Sequence, residues 1–306
     1  MNLTIISPCF NESANIEELV ERTHNAVKSF SEKVEYEHIL IDNASSDNSI
    51  EIIKNVRQRF PQVRILQNSE NAGVFSSIQR AMKMSRGEWL IPFLASDMQD
   101  PPEIVTQLLA RQLETDCDAV FGVRKARKES YSLFALRKFF YFLLRKFISG
   151  KKYVSGTSEF CLIKRDLSLN IIENEDPNPF LRIYLSKLTG KIEYVNFSMV
   201  ERKVGKSSAN LFTLLDDALN AFSIIMPSVF SRLLVFVIPF SLTAFLCVIV
   251  SLPFTISGSI HFSYFLILLA IQVVFAILFI QLLIGHYIFI LHSQIRKKPE
   301  IKTQEL

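Results

Sequence analysis

Short apolar runs alternate with amphipathic stretches through the first 123 residues of the chain. The apolar runs predict strands at residues 3–7, 36–41, 63–67, 89–94 and 119–123. Apolar positions three or four residues apart predict helices between them, and polar residues can cap the first two, Ser13 or Asn15 and then Asp47 or Asn48. Strands that alternate with helices predict an α/β fold with a mostly parallel, doubly wound sheet.

Two long apolar stretches, residues 233–252 and 262–291, carry no formal charge. About 20 apolar residues suffice to cross a bilayer, so these stretches predict a transmembrane hairpin rather than two buried core helices. The connector 253–261 has no Lys or Arg, whereas basic residues flank the hairpin on both outer sides. The positive-inside rule therefore predicts a multi-pass protein of the inner (cytoplasmic) membrane, with the N-terminal domain and both termini in the cytoplasm.

Composition agrees with this division, because 49% of the 306 residues are apolar and the excess lies after residue 231. We expect a globular domain over residues 1–208, a juxtamembrane amphipathic helix over 209–231, the membrane hairpin over 232–292 and a basic cytoplasmic tail over 293–306. The net charge is only +4, so its distribution along the chain is more informative than its sum.

Polar loops follow three of the predicted strands, at residues 8–12, 42–47 and 97–100. In an open α/β sheet the carboxyl ends of the strands form the ligand-binding edge. Asp97 and Gln99 are two residues apart, so an extended chain would point both the same way, and oxygen ligands of this kind suit Mg²⁺. Asp42 is placed to accept hydrogen bonds from a ribose or a base. Turn formation and helix capping are the alternative roles of these loops.

Residues 124–152 are rich in Lys, Arg, Phe and Leu and contain one acid, Glu129. This composition predicts an interfacial membrane helix whose basic groups meet anionic lipid headgroups or a lipid phosphate. An amphipathic helix packed on the sheet is an alternative. Nucleic-acid binding is disfavoured, because Phe and Leu are too dense for a solvated groove. Residues 202–208 form a second basic segment, which could close over phosphates or be a solvated linker.

Several segments carry motifs. Residues 5–12 are Ile-Ile-Ser-Pro-Cys-Phe-Asn-Glu, residues 41–49 are Ile-Asp-Asn-Ala-Ser-Ser-Asp-Asn-Ser, and residues 71–73 are Asn-Ala-Gly. Residues 96–103 are Ser-Asp-Met-Gln-Asp-Pro-Pro-Glu, and residues 281–287 begin with Gln and end with Gly-His-Tyr. With these motifs the chain resembles the family 2 glycosyltransferases that act on polyprenyl phosphates, over nearly its whole length. The segment 96–103 is the most specific of them.

The resemblance implies a GT-A fold, a Rossmann-like domain that binds a nucleotide-sugar, and transfer of a sugar from a UDP- or GDP-sugar to a polyprenyl phosphate such as undecaprenyl phosphate. It implies a homo-oligomer formed through the membrane region, and the composition of residues 124–152 argues against a nucleic-acid partner. It also implies site residues: Pro8, Phe10, Glu12, Asp42 and Asp97 for the nucleotide-sugar, Asp97 and Gln99 for Mg²⁺ or Mn²⁺, and Arg124, Arg137, Arg202 and Lys206 for the phosphates of acceptor or donor.

The chain departs from the family pattern where the family keeps acidic residues. Ala95 stands at the first Asp of the family's DxD, and Gly156 stands at the Asp that usually serves as base. Asn43 and Ala44 replace Asp and Gly of the second motif. Asp97 and Glu159 are the remaining candidates for a catalytic role. A phosphate acceptor needs no strong base, because its second pKa is about 6.

The alternatives are a non-catalytic membrane protein that binds nucleotide-sugar or lipid phosphate, and a processive polysaccharide synthase. Two spans make too small a channel for a synthase.

Overall fold

A computed structural model describes residues 2–31, 34–125, 154, 156–173, 181–200, 233, 235, 237–258, 261–295 and 302–306. The elements in chain order are β1 (Asn2–Cys9), α1 (Ile16–Phe30), β2 (Glu35–Asp42), α2 (Ser49–Arg59), β3 (Val63–Asn68), α3 (Val74–Met84), β4 (Trp89–Ile91), α4 (Ile104–Thr115), β5 (Ala119–Arg124), β6 (Thr157–Lys164), α5 (Arg165–Glu173), α6 (Leu181–Leu188), β7 (Ile192–Phe197), α7 (Val237–Ile256), α8 (Phe262–Ile295) and β8 (Thr303–Glu305). They divide into two units, Met1–Ser208 with Lys297–Leu306, and Ala209–Arg296.

The first unit is built on one eight-stranded sheet in the order β7-β5-β6-β4-β1-β2-β3-β8. The pairs β1–β2, β1–β4, β2–β3 and β5–β7 are parallel, whereas β6 runs antiparallel to both β4 and β5. The predicted alternation of strands and helices up to β5 and the mostly parallel sheet are confirmed. The antiparallel strand β6 was not predicted from the sequence.

The sheet is buried on both faces, as a doubly wound fold requires. Leu3 and Ile5 of β1 pack in one apolar cluster with side chains of α1, α2 and α4. Ile6 of the same strand packs in a second cluster with side chains of α3, α5 and α6. Successive side chains of a strand point to opposite faces, so this division follows from the pleat. The core therefore holds the strand ends rigidly from both sides.

Two element ends and one additional strand differ from the sequence prediction. The strand predicted at residues 89–94 ends at Ile91, because Pro92 has no N–H to continue the ladder. The helix predicted to end at residue 252 continues through Pro253 to Ile256 and then turns at Gly258, whose φ is 75°. Residues 303–305, predicted to be part of a basic tail, form strand β8, which pairs with β3. The sequence Thr-Gln-Glu has no apolar alternation that would predict a strand.

The second unit contains two helices long and apolar enough to cross a membrane. Val237–Ile256 has 20 residues and Phe262–Ile288 has 27, and almost none of either is buried within the structure. The rings of Phe240 and Phe275 stack with centroids 6.1 Å apart, so the two helices contact each other. The predicted interfacial segment 124–152 and the juxtamembrane helix 209–231 lie outside the described residues, apart from Arg124 and Lys125.

Candidate active site

The carboxyl ends of β1, β2 and β3 lie side by side. Cys9 pairs with Asp42, and Asp42 pairs with Gln67, in the parallel register of the three strands. The loop after β4 joins this edge, because the Leu94 N–H donates to the Ile6 carbonyl at 2.9 Å. The sheet therefore brings together the three polar loops that the sequence indicated.

Hydrogen bonds join the first loop, residues 8–12, to the second, residues 42–47. The Asn11 N–H donates to Ser45 Oγ at 3.0 Å, and the Ser46 N–H donates to Asn11 Oδ1 at 2.8 Å. The Ser13 N–H donates to Asp47 Oδ2 at 3.2 Å. Partial burial would raise the pKa of Asp47, but hydrogen bonds from Ser49 and Ser13 outweigh it and hold the pKa below its ordinary value. Two loops far apart in sequence thus form one rigid unit.

The first loop is also joined to the third loop. Ser96 Oγ donates to the Pro8 carbonyl at 2.7 Å and lies 3.3 Å from Cys9 Sγ. Burial raises the pKa of the Cys9 thiol to about 12, so this cysteine is a protonated packing group rather than a nucleophile. Pro8, predicted to contact the nucleotide, is held through its own carbonyl. Phe10 beside it is 47% exposed, which leaves its ring open to a ligand.

The third loop has a tighter geometry than the sequence predicted. Met98 has a φ of 53°, and the Gln99 N–H donates to Asp97 Oδ1 at 3.1 Å. An Asx turn of this kind reverses the chain locally. The chain from Asp97 to Gln99 is therefore not extended, as that expectation assumed, and their joint role at a cation stays a prediction. The Asp97 carboxylate remains partly exposed at the sheet edge.

The site fits a divalent cation only if most ligands come from outside the protein. Within the described part of the chain, no group of three or more His, Cys, Asp and Glu side chains converges. Mg²⁺ is commonly held by one or two carboxylates together with water and substrate phosphates, rather than by a complete protein cage. Asp97 supplies one such carboxylate, and Ala95 cannot supply a second. The residues present fit a cation that binds together with a diphosphate.

Arg124, predicted to contact an acceptor phosphate, is paired with Asp100 of the third loop. Its Nε donates to Oδ1 at 3.0 Å and its second terminal nitrogen donates to Oδ2 at 2.7 Å. Asp100 is buried, whereas 38% of the Arg124 side chain is exposed. A bidentate pair fixes the plane of the guanidinium. Arg124 can therefore be held beside the Asp97 loop with its remaining N–H groups available to an anion.

Asn43 connects the second loop to the turn that begins α3. Its Oδ1 accepts hydrogen bonds from the Ala72 N–H, Asn68 Nδ2 and Ser77 Oγ at 2.8–3.1 Å. Its Nδ2 donates to Asn71 Oδ1 at 2.8 Å. An amide carries its acceptor and its donors on separate atoms, whereas a carboxylate at this position could only accept. Asn43 was predicted only as a departure from the family motif, and its role in joining the loops depends on long-range contacts.

The other predicted residues lie at different depths. Asp42 is fully buried and accepts the Ser45 N–H at 3.3 Å and Gln67 Nε2 at 3.4 Å. Glu12 Oε2 accepts Asn15 Nδ2 at 2.6 Å, at the start of α1. Glu159 is half-buried in β6. Arg137, Arg202 and Lys206 lie outside the described residues. The roles of all these residues stay predictions.

Gly156, at the family's Asp position, has a φ of 89°, and its carbonyl accepts the Arg124 N–H at 3.0 Å. A Cβ added here would lie 3.0 Å from the Arg124 carbonyl oxygen. Both the left-handed backbone and this close approach favour glycine. The departure from the family pattern is therefore built into the backbone next to Arg124.

The mostly parallel sheet with its joined polar loops defines the class of α/β domain found in GT-A glycosyltransferases. Residues 4–171 match the family described as Glycosyl transferase family 2, and the chain belongs to that family.

Two relatives and one solved structure illustrate the likeness. The undecaprenyl-phosphate 4-deoxy-4-formamido-L-arabinose transferase of Shewanella sediminis is 29% identical over 227 residues, which is 72% of this chain and 66% of that protein. The prophage bactoprenol glucosyl transferase homolog of Escherichia coli is 27% identical over 228 residues, 73% of this chain and 72% of that protein. Glucosyl-3-phosphoglycerate synthase of Mycobacterium tuberculosis, solved with UDP, shares the fold with a TM-score of 0.52 at 17% identity, covering 74% of this chain and 79% of that one.

Proposed function

We infer that this protein transfers a sugar, with inversion, from a UDP- or GDP-sugar to a polyprenyl phosphate at the cytoplasmic face of the membrane. Its membership of glycosyl transferase family 2 and the names of its relatives support the reaction class and the acceptor. The two exposed apolar helices support attachment to the membrane that carries a lipid acceptor. The observation that carries the proposal is the Asp97 loop, which presents a carboxylate and is tied to Arg124 through Asp100.

The chemistry needs positioning and charge neutralisation more than proton transfer. An oxygen of the acceptor phosphate attacks C1 of the sugar, and the bond from C1 to the donor diphosphate breaks with its electron pair. The nucleoside diphosphate leaves from the opposite face, so the anomeric configuration inverts. The acceptor oxygen already carries negative charge near neutral pH, because a phosphate monoester has its second pKa near about 6. Loss of the family's base at Gly156 is compatible with this reaction.

The protein's own groups hold the two charged reactants together. In this proposal Arg124, with Arg137, Arg202 and Lys206, holds the phosphates by charge-assisted hydrogen bonds. Asp97, with Gln99, holds a divalent cation when the donor is bound. That cation, Mg²⁺ or Mn²⁺, supplies positive charge that stabilises the leaving diphosphate. Glu159 is a second candidate for a catalytic role, and full activity of Glu159→Gln would remove it.

The test is transfer of labelled sugar to lipid by the full chain in membranes. We expect Asp97→Asn, which keeps the side-chain size, to lower the rate at least about 100-fold, because it removes the charge that holds the cation. Chelation by EDTA should abolish transfer, and added Mg²⁺ or Mn²⁺ should restore it in the wild type. Glu114→Gln, at an exposed position of α4, is the control and should retain full activity. Unchanged rates in Asp97→Asn would contradict the site assignment. Donor binding without turnover in the wild type would favour a binding protein instead.

A further inference from the structure

Residues 302–306 close the outer edge of the sheet beside the second polar loop. Thr303 pairs with Asn68 and Gln304 with Gln67 in the antiparallel register of β8 and β3. The Ser69 N–H donates to the Lys302 carbonyl at 2.9 Å, and the Leu306 N–H donates to the Ile65 carbonyl at 3.1 Å. The segment thus reaches the carboxyl end of β3, where the candidate site begins.

An ion pair fixes the register of this strand. Arg64 Nε donates to Glu305 Oε1 at 2.8 Å, and a terminal nitrogen donates to Oε2 at 3.0 Å. Arg64 is itself held by Glu37 of β2, and only 12% of its side chain is exposed. A slip by one residue would turn every β8 side chain to the opposite face. The pair at Glu305 therefore determines which side chains lie against Gln67 and Asn68.

The side chains of β8 orient two amides of the candidate site. Thr303 Oγ1 donates to Asn68 Oδ1 at 2.7 Å, which turns Asn68 Nδ2 towards Asn43 Oδ1 at 3.0 Å. Gln304 Nε2 approaches Gln67 Oε1 at 3.4 Å, and Gln67 Nε2 approaches Asp42 at 3.4 Å. Two chains of hydrogen bonds therefore run from β8 to the residues at the end of β2.

A cavity of about 740 Å³ lies between these elements. Its lining residues come from the loop after β2, the end of β3 and residues 302–304, and are Ala44, Ser45, Gln67, Asn68, Ser69, Lys302, Thr303 and Gln304. Six of the eight lining side chains end in an amide or a hydroxyl, and such groups hydrogen-bond the edges of a base and the hydroxyls of a ribose. The volume lies within the range of small-molecule pockets, about 300–1,000 Å³.

We propose that this cavity receives the nucleoside half of the donor and that β8 is a specificity-determining part of the donor site, acting through Thr303 and Gln304. The proposal rests on the proposed function, which supplies the nucleotide-sugar. It adds to the donor site the strand β8, which lies more than 230 residues after β3, the strand with which it pairs. Thr303 positions Asn68, and Gln304 positions Gln67.

The test is calorimetric titration of the full chain in nanodiscs with UDP, GDP and dTDP, each with Mg²⁺, and with inorganic diphosphate as a probe of the phosphate half. Thr303→Val keeps the shape and strand preference of the side chain but removes the hydroxyl. We expect about threefold to tenfold weaker binding of the preferred nucleoside diphosphate, because one hydrogen bond is lost. Binding of inorganic diphosphate should be unchanged. Transfer assays should show a raised KM for the donor and an unchanged KM for the lipid phosphate.

Two further variants keep the test decisive. Thr115→Val removes a hydroxyl that donates to the Arg111 carbonyl at 2.7 Å at the end of α4, and it should bind every probe like the wild type. Gln304→Ala should lower the preference among the three nucleotides even if Thr303→Val fails to fold. Wild-type affinities in both β8 variants, or equal losses for inorganic diphosphate, would overturn the proposal for β8 alone. Failure of the wild type to bind any nucleoside diphosphate would overturn the proposed function as well.

Discussion

Replacement of Asp100 by Asn tests whether the pair with Arg124 positions a phosphate-binding group or only stabilises the fold. The substitution keeps the side-chain size but removes the charge and one of the two acceptor oxygens. Asp100 is 1% exposed and accepts both hydrogen bonds from Arg124, at 3.0 and 2.7 Å. The lost interaction would be worth several kcal/mol if both partners were buried.

The exposure of Arg124 lowers this value. Because 38% of its side chain is exposed, water screens the pair and solvates the freed guanidinium, and we expect a loss of about 1–2 kcal/mol in the free energy of unfolding. For a domain of this size that corresponds to a fall of about 2–8 °C in Tm. A similar loss of phosphate positioning would lower kcat/KM for the lipid phosphate about 5- to 30-fold.

Asp118→Asn is the matched control, since this carboxylate also forms an ion pair but lies just before the amino end of β5, whereas Arg124 lies at its carboxyl end. Asp118 accepts Lys164 Nζ at 2.6 Å and Thr189 Oγ1 at 2.8 Å. We expect Asp118→Asn to lower Tm without changing kcat/KM by more than about twofold. The assay is labelled-sugar transfer with the full chain in nanodiscs, beside thermal melting. Equal effects of both substitutions on kcat/KM, or full activity of Asp100→Asn, would refute the assignment.

Three further predictions concern stability, each measured as apparent Tm of the purified chain. Ala44 has a φ of 58°, so Ala44→Gly should relieve a strain of about 1 kcal/mol and raise Tm by a few degrees, and a lower Tm would contradict it. Asn43→Asp should lower Tm by several degrees, because a carboxylate oxygen would replace the donor that faces Asn71 Oδ1, at a cost of about 1–3 kcal/mol. Burial lowers the pKa of His38 to about 3, so the unfolded chain binds a proton below about pH 6.5 that the folded chain does not. The stability from neutral His38 is therefore present above pH 6.5 and lost as the pH falls, by up to about 1.4 kcal/mol per unit. Between pH 6.5 and 4.5 the Tm of His38→Gln should fall less than the Tm of the wild type. The same slope of Tm against pH in both proteins would count against this reasoning.

The alternation of strands and helices was predictable because β1, β2 and β3 are buried apolar runs with a helix after each. The edge where their loops meet follows from parallel pairing, so the grouping of loops 8–12, 42–47 and 97–100 was predictable as well. Apolar periodicity involves residues that are close together in the sequence. It therefore predicts elements whose burial is set by their own residues.

The remaining features depend on partners far away in sequence. β8 has no apolar alternation and is held by Arg64 and by pairing with β3. The pair of Asp100 with Arg124 and the contacts of Asn43 join residues more than 20 positions apart. The Asx turn at Asp97 places Met98 in a left-handed backbone conformation. Residues with long apolar side chains rarely adopt this conformation, so the sequence does not predict it. These contacts, rather than the motifs themselves, complete the candidate site.

The most direct test of the account is the composition of the lipid after the reaction. The full chain in nanodiscs would be incubated with undecaprenyl phosphate, Mg²⁺ and a panel of UDP-, GDP- and dTDP-sugars, and the lipid analysed by mass spectrometry. The account predicts that one donor adds a single sugar to the lipid phosphate and releases its nucleoside diphosphate in equal amount, and that Asp97→Asn does neither. Unmodified lipid with every donor, from a wild-type protein that melts cooperatively, would contradict it.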